Sequence, residues 1–169
     1  RAGRHHRLRA PAPADEPAQP LAFIFSGQGS FYRGMGRDLA GVYPAVDKAL
    51  DRLAACAGYD LKTLLFDTDE DTLRDTRWQQ PALFAFEYAL ACQLLDLGVK
   101  PTAVAGHSLG EFAALTVAGV LTPEDAFAVV DMRARCMAKA ATLAEAPGIM
   151  AAIGLPVDVL QWKLEKYPG

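Results

Sequence analysis

Cysteine is scarce in this sequence. Its 169 residues include three, Cys56, Cys92 and Cys136, far apart and in neither C-x-x-C nor metal-ligand spacing. That excludes a disulfide framework and gives no metal site, and each thiol is expected to fill a small gap in the core. Long apolar runs are missing too. Nothing approaches the roughly 18 residues that a membrane helix needs, and no apolar signal core follows the N-terminal arginines, so the expectation is a cytoplasmic chain with no membrane partner. Positive charge is not in excess either. The formal net charge is −3, and residues 1–20 hold four of the 17 basic residues, so the remainder is more acidic still. A nucleic-acid partner does not suit that balance. Histidine is the last shortage: His5 and His6 lie near the start, and His107 is the third.

What is present is enough apolar material for a core. Apolar residues make up 51% of the chain and charged ones 22%, as in a globular domain. Residues 1–20 stand apart. Arginines, then Pro11, Pro13, Pro17 and Pro20 among alanines, cannot pack and read as a disordered linker. The chain begins at Arg1 and stops at Tyr167-Pro168-Gly169 just after an expected helix, so it reads as a piece of something longer.

The apolar run Leu21 to Phe25 predicts a strand buried on both faces of a parallel sheet. Ser26-Gly27-Gln28-Gly29-Ser30 follows at its carboxyl end, the edge where open α/β sheets bind ligands. It is not a dinucleotide fingerprint, because Tyr32 stands where the third glycine belongs, and no Gly-Lys-Ser/Thr makes it a P-loop. Two readings of this loop are left, a set of N–H donors for an oxyanion or a plain turn. Pro44 to Ala57, with Val46, Ala49, Leu50, Leu53 and Ala57 in register and Gly58 beyond, predicts a core helix. A short helical turn is expected over Leu61 to Phe66, a charged surface loop over Asp67 to Arg77, and a long helix opened by Pro81 and running to Leu97. Gln80, just ahead of that proline, reads as a cap or as a side chain facing a ligand.

Thr102 to Ala105 predicts a second buried strand and Leu109 to Ala118 a helix. Between them stands Gly106-His107-Ser108-Leu109-Gly110. Strand, G-x-S-x-G, helix is the nucleophile-elbow arrangement, in which a turn too tight for flanking side chains holds one serine exposed. Ser108 is therefore the candidate nucleophile. Thr122-Pro123-Glu124-Asp125 opens a further helix with an apolar stripe of Ala126, Val129, Val130, Met137 and Ala140. Arg133 falls within that stripe, where a guanidinium needs a compensating anion. A ligand carboxylate, a distant Asp or Glu, or water at the end of a long side chain would each serve. Arg135, four residues after Asp131, is expected in an ordinary exposed ion pair. From Gly148 on, Ile149 to Ile153 reads as a strand and Val157 to Tyr167 as a helix, the first step of a small α+β unit.

A serine nucleophile needs a base. His5 and His6 are in the linker, and His107 precedes the serine in the strand with its side chain expected to point to the opposite side. None is a credible general base.

The sequence resembles the malonyl-CoA:acyl carrier protein transacylases and the acyltransferase domains of polyketide and fatty acid synthases. The likeness spans residues 21–166 and rests on Phe25-Ser26-Gly27-Gln28-Gly29-Ser30, Gln79-Gln80-Pro81-Ala82, Gly106-His107-Ser108-Leu109-Gly110-Glu111, and Arg133 with Met137. The resemblance implies an α/β fold: a hydrolase-like core with a parallel sheet and nucleophile elbow over residues 21–147, and the start of a ferredoxin-like subdomain over 148–169. It implies that Ser108 is acylated by a CoA thioester, with the oxyanion held by the N–H groups of Gln28 and Leu109. Gln80 and His107 would line the substrate pocket, and Arg133 would pair with the free carboxylate of a malonyl unit. The acyl group would then pass to the phosphopantetheine thiol of an acyl carrier protein, with neighbouring synthase domains as further partners, no bound cofactor and no metal. The family's catalytic histidine would lie beyond Gly169. Ser26, where the family usually has proline, and Ser30 depart from the pattern within the donor loop, which as a backbone donor should be little affected. Leu109 favours malonyl over methylmalonyl. Two other readings stay open: a serine esterase or thioesterase of α/β-hydrolase type, and an inactive module that only binds CoA or carrier protein.

Overall fold

The computed structural model describes residues 20–143 and 154–166. Two parallel strands, β1 (Ala22–Phe25) and β2 (Ala103–Gly106), pair in register from Ala22 against Ala103 to Phe25 against Gly106. Between them in the chain come α1 (Pro44–Ala57), α2 (Leu61–Phe66), α3 (Glu70–Arg74) and α4 (Thr76–Asp96). After β2 come α5 (Gly110–Val117) and α6 (Pro123–Leu143). A parallel pair needs such a crossover, because the chain must return to the same end of the sheet. The class is α/β, as expected. The described residues up to Ala138 form one compact unit, and those from Lys139 on form a second, which holds α7 (Val157–Lys166). The strand expected over residues 149–153 and the linker expected over residues 1–19 lie outside the described residues. Among the described residues no helix is long and apolar enough to cross a membrane.

Helix α1 has the bounds and the buried face read from the sequence, with Pro44 opening it and Gly58 closing it at φ 69°. It packs on α4. Helix α4 buries residues on every side, from Gln79 to Gln93, and its Phe84 ring lies 6.2 Å from that of Phe127 on α6. Burying each such ring or leucine contributes about 1.5–3 kcal/mol. These contacts make the core.

Four expectations need correction. The stretch over residues 67–77 is not a loop, because Asp69 accepts from the Thr72 N–H at 2.8 Å and Asp75 from the Arg77 N–H at 2.8 Å, capping α3 and α4 in turn. Helix α4 therefore starts at Thr76, Pro81 lies inside it, and Asp75, not Gln80, is its cap. Neither strand is buried as expected: in β1 Phe23 and Phe25 are inside while Ile24 is 80% exposed, and in β2 Ala103 and Ala105 are exposed and Val104 and Gly106 half-buried, as the two-residue period of a strand dictates when one face lacks a covering layer among the described residues. The buried stripe of α6 is Pro123, Ala126, Phe127, Val130 and Ala134, which leaves Val129 and Met137 exposed and Arg133 at the stripe's border, half-buried. Cys56 and Cys136 are exposed and fill no core gap.

Candidate active site

The serine turn is built by close approach. A β-carbon on Gly106 would overlap the Gly110 carbonyl and the Glu111 N–H, and one on Gly110 would sit 2.5 Å from the Phe25 carbonyl oxygen. Helix α5 thus starts against the ends of both strands, and only glycine fits at either flank. Between them Ser108 has φ 54°, the one positive φ on a non-glycine residue among the described residues. That conformation costs about 1 kcal/mol or more for a residue with a side chain, so the surrounding packing imposes it. Ser108 is exposed, while Leu109 after it is fully buried.

From Ser108 a directed hydrogen-bond chain crosses the site. Arg133 Nη2 donates to Ser108 Oγ at 3.2 Å, and Nη1 donates to Gln80 Oε1. Gln80 Nε2 donates to Thr76 Oγ1 at 2.6 Å and to Met137 Sδ at 3.3 Å. Thr76 Oγ1 then donates to Gln28 Oε1 at 2.8 Å. Because a guanidinium has no acceptor, it fixes which way the Gln80 amide faces, and the direction of each later link follows. No carboxylate pairs with Arg133 among the described residues.

The loop from Ser26 to Ser30 is held from α4. Gly29 N–H donates to Gln79 Oε1 at 2.9 Å, and Gln79 Nε2 in turn donates to the Leu73 carbonyl at 3.1 Å. Ser26 is bound to Glu87, and Ser30 Oγ donates to the Gly27 carbonyl at 3.0 Å. The N–H groups of Gln28 and Leu109 have no protein acceptor among the described residues. His107 N–H donates to the Phe25 carbonyl at 3.1 Å, and its ring packs so closely on Gly27 that a β-carbon there would lie 2.5 Å from Nδ1. It is the one histidine among the described residues.

A family model described as the acyl transferase domain matches residues 22–168. The chain belongs to that family. Among curated acyltransferases it is 42% identical over 134 residues to the malonyl CoA-acyl carrier protein transacylase of Escherichia coli, covering 79% of this chain and 43% of that protein. It is 42% identical over 132 residues to the polyketide synthase GfsA of Streptomyces halstedii, covering 69% of this chain and 2% of that one. Among solved structures, the transacylase of Streptococcus pneumoniae matches with a TM-score of 0.68 at 46% identity, covering 72% of this chain and 39% of that one. A malonyl-transacylase in complex with a type II acyl carrier protein matches with a TM-score of 0.68 at 38% identity, covering 72% and 40%. The chain therefore spans less than half the length of the acyltransferases it matches.

In this chain the structure joins Ser108, Arg133 and Gln80 directly and reaches Gln28 through Thr76, and it places His107 and Leu109 on either side of the serine. Three side chains that organise the site were given no role from the sequence: Thr76, Gln79 and Glu87. Thr76 lies one helical turn before Gln80, so a helix started at Asp75 would have put both on one face. A fourth is Asp131. Its Oδ1 accepts from Arg77 Nη1 at 2.7 Å and from the Tyr59 hydroxyl at 3.1 Å, and its Oδ2 accepts from Arg135 Nε at 2.9 Å. The Arg77 guanidinium also stacks 4.2 Å from the Trp78 ring. Burial first, then the Asp131 charge, pushes the Tyr59 phenol up. The Asp131–Arg135 pair expected on the surface is thus the outer edge of a cluster in which Arg77 and Asp131 are 15% and 13% exposed. It clamps the first turn of α4 to α6, close to Gln80 and Arg133.

Proposed function

We propose that this chain supplies the nucleophile and the carboxylate-binding half of an acyltransferase that moves a malonyl unit from CoA to an acyl carrier protein. The supporting observation is the 3.2 Å contact between Arg133 Nη2 and Ser108 Oγ. A half-buried cation beside a serine hydroxyl suits an acyl group that carries its own carboxylate, which a guanidinium can grip through two parallel hydrogen bonds. Leu109 after the serine supports malonyl as that acyl group.

In this reading the turn at Ser108 is a nucleophile elbow in a hydrolase-like core. Ser108 Oγ attacks the thioester carbonyl, its proton passing to a base. The carbonyl oxygen takes the negative charge and is met by the N–H groups of Gln28 and Leu109. Collapse breaks the C–S bond, CoA leaves as its thiol with that proton, and malonyl stays on Ser108 as an ester. The phosphopantetheine thiol of the carrier then attacks the ester and regenerates the serine. His107 packs its ring on Gly27, so the base is assigned to the longer enzyme of which this chain is a part. The small ferredoxin-like subdomain begins in the second unit, with α7 as its first helix. A plain esterase would have no use for Arg133.

The experiment is peptide mapping after brief incubation of the full-length parent enzyme with malonyl-CoA. A malonyl adduct on the peptide carrying Ser108, absent in Ser108→Ala, supports the reading. An adduct that survives Ser108→Ala ends it.

A further inference from the structure

Glu87, on α4, is a carboxylate buried to 7% exposure, with no role in the chemistry described so far. Its Oε1 accepts two short bonds, from the Ser26 N–H at 2.6 Å and from Ser26 Oγ at 2.7 Å. Its Oε2 is buried without a partner in the described structure. A carboxylate in that position is costly unless the bonds it makes matter. Both go to the first residue of the loop that carries Gln28. Ser26 has one hydroxyl proton, given to Glu87, so across the 2.8 Å contact between Ser26 Oγ and Ser30 Oγ it is Ser30 that donates. Ser30 shares that proton with the Gly27 carbonyl. The carboxylate thus orders the donors at both ends of the turn from Ser26 to Ser30. A proline at position 26 would have neither the N–H nor the hydroxyl.

We propose that Glu87 is a positioning residue for the oxyanion loop: by taking both donors of Ser26, it fixes the backbone that presents the Gln28 N–H. This rests on the acyltransferase reading above. Burial pushes the Glu87 carboxyl up, with the two Ser26 bonds acting against it. None of the other residues lining the groove that Glu87 faces, which come from β1, Ser26, Met35 and one face of α4, is titratable. The ionised form depends on Ser26.

The test uses the full-length parent enzyme, with malonyl-CoA and a carrier protein, in four forms: Glu87→Gln, Glu87→Leu, Ser26→Pro and the last two combined. Glu87→Leu should lower kcat for malonyl transfer by about tenfold or more with the KM for malonyl-CoA unchanged, and Glu87→Gln, which keeps an acceptor, should fall between it and wild type. Ser26→Pro added to Glu87→Leu should cost little more, because the interaction is already gone. Amide exchange at residues 27–29 should quicken in Glu87→Gln while that of α4 does not, a readout that survives even if Glu87→Leu fails to fold. A lowered melting temperature with unchanged kcat and unchanged loop exchange would overturn the proposal, as would losses that simply add. If Ser108 is acylated in wild type and equally fast in the Glu87 variants, this proposal fails and the acyltransferase reading stands. If Ser108 is never acylated, the acyltransferase reading fails, and the exchange readout still decides whether Glu87 holds the loop.

Discussion

Arg133 stands between Ser108 and Gln80. One nitrogen donates to the serine hydroxyl at 3.2 Å and another to the amide oxygen, and through Gln80 and Thr76 the link continues to Gln28 in the opposing loop. Four stretches far apart in sequence therefore meet in one polar line. An arginine in that setting with no carboxylate partner among the described residues suits the proposed role of gripping an anion attached to the serine.

Thr76 is the middle of that line. Thr76→Val keeps the volume and removes the hydroxyl, leaving the buried Gln80 Nε2 one partner short at a cost of about 1–3 kcal/mol, while the exposed Gln28 Oε1 turns to water. Denaturant unfolding of the full-length enzyme should show that loss, and malonyl transfer should weaken more than acetyl transfer as Gln80 ceases to orient Arg133. Unchanged stability and selectivity would remove Thr76 from the site.

Asp131 should matter far more than its pair with Arg135 suggests. Asp131→Asn strips the charge that compensates Arg77 and is expected to destabilise by about 3 kcal/mol, whereas Arg135→Ala, at an exposed position, should stay within about 1 kcal/mol. Unfolding midpoints for the two variants check this directly. Similar midpoints would mean that Arg77 finds water or the rings of Tyr59 and Trp78 sufficient.

The positive φ at Ser108 gives a prediction of opposite sign. Glycine adopts φ 54° without a side-chain clash, so Ser108→Gly should be as stable as wild type or more stable by up to about 1 kcal/mol, while losing acylation altogether. Ser108→Val, β-branched, should be clearly less stable. If Ser108→Gly is the less stable of the two, the turn is not strained.

Glu87 sets a pH dependence. Its folded-state pKa is raised, chiefly by burial, so the stability it contributes is fully present below the unfolded pKa and is lost as pH rises through the folded one. Glu87→Gln does not titrate. The melting temperature of wild type relative to Glu87→Gln should therefore fall as pH rises above the ordinary glutamate range. A flat or rising difference would mean that the Ser26 bonds outweigh burial.

Much of this was legible in the sequence, and what was not has a common cause. Helix α1 could be read because proline, a five-residue apolar face and a capping glycine agree. The G-x-S-x-G turn could be read because only glycine survives such close approach. The start of α4 was misplaced because Pro81 looks like a first-turn proline, while the true signals are the short side chains of Asp69 and Asp75 acting on N–H groups two or three residues on. That error hid Thr76, Gln79 and the reach of Asp131, all of which depend on where α4 begins. Glu87 was hidden for a different reason: an acidic residue in an apolar helix shows its partner only once β1 and α4 are packed together.

What Arg133 recognises decides which acyl group Ser108 carries. The most direct measurement is the ratio of kcat/KM for malonyl-CoA to that for acetyl-CoA in the full-length enzyme, wild type against Arg133→Ala. A charge-assisted pair is worth about 1.5–3 kcal/mol, so the ratio should fall by tenfold or more, with acetyl transfer steady or improved. Equal decline of both substrates would contradict the account and leave Arg133 as a structural residue.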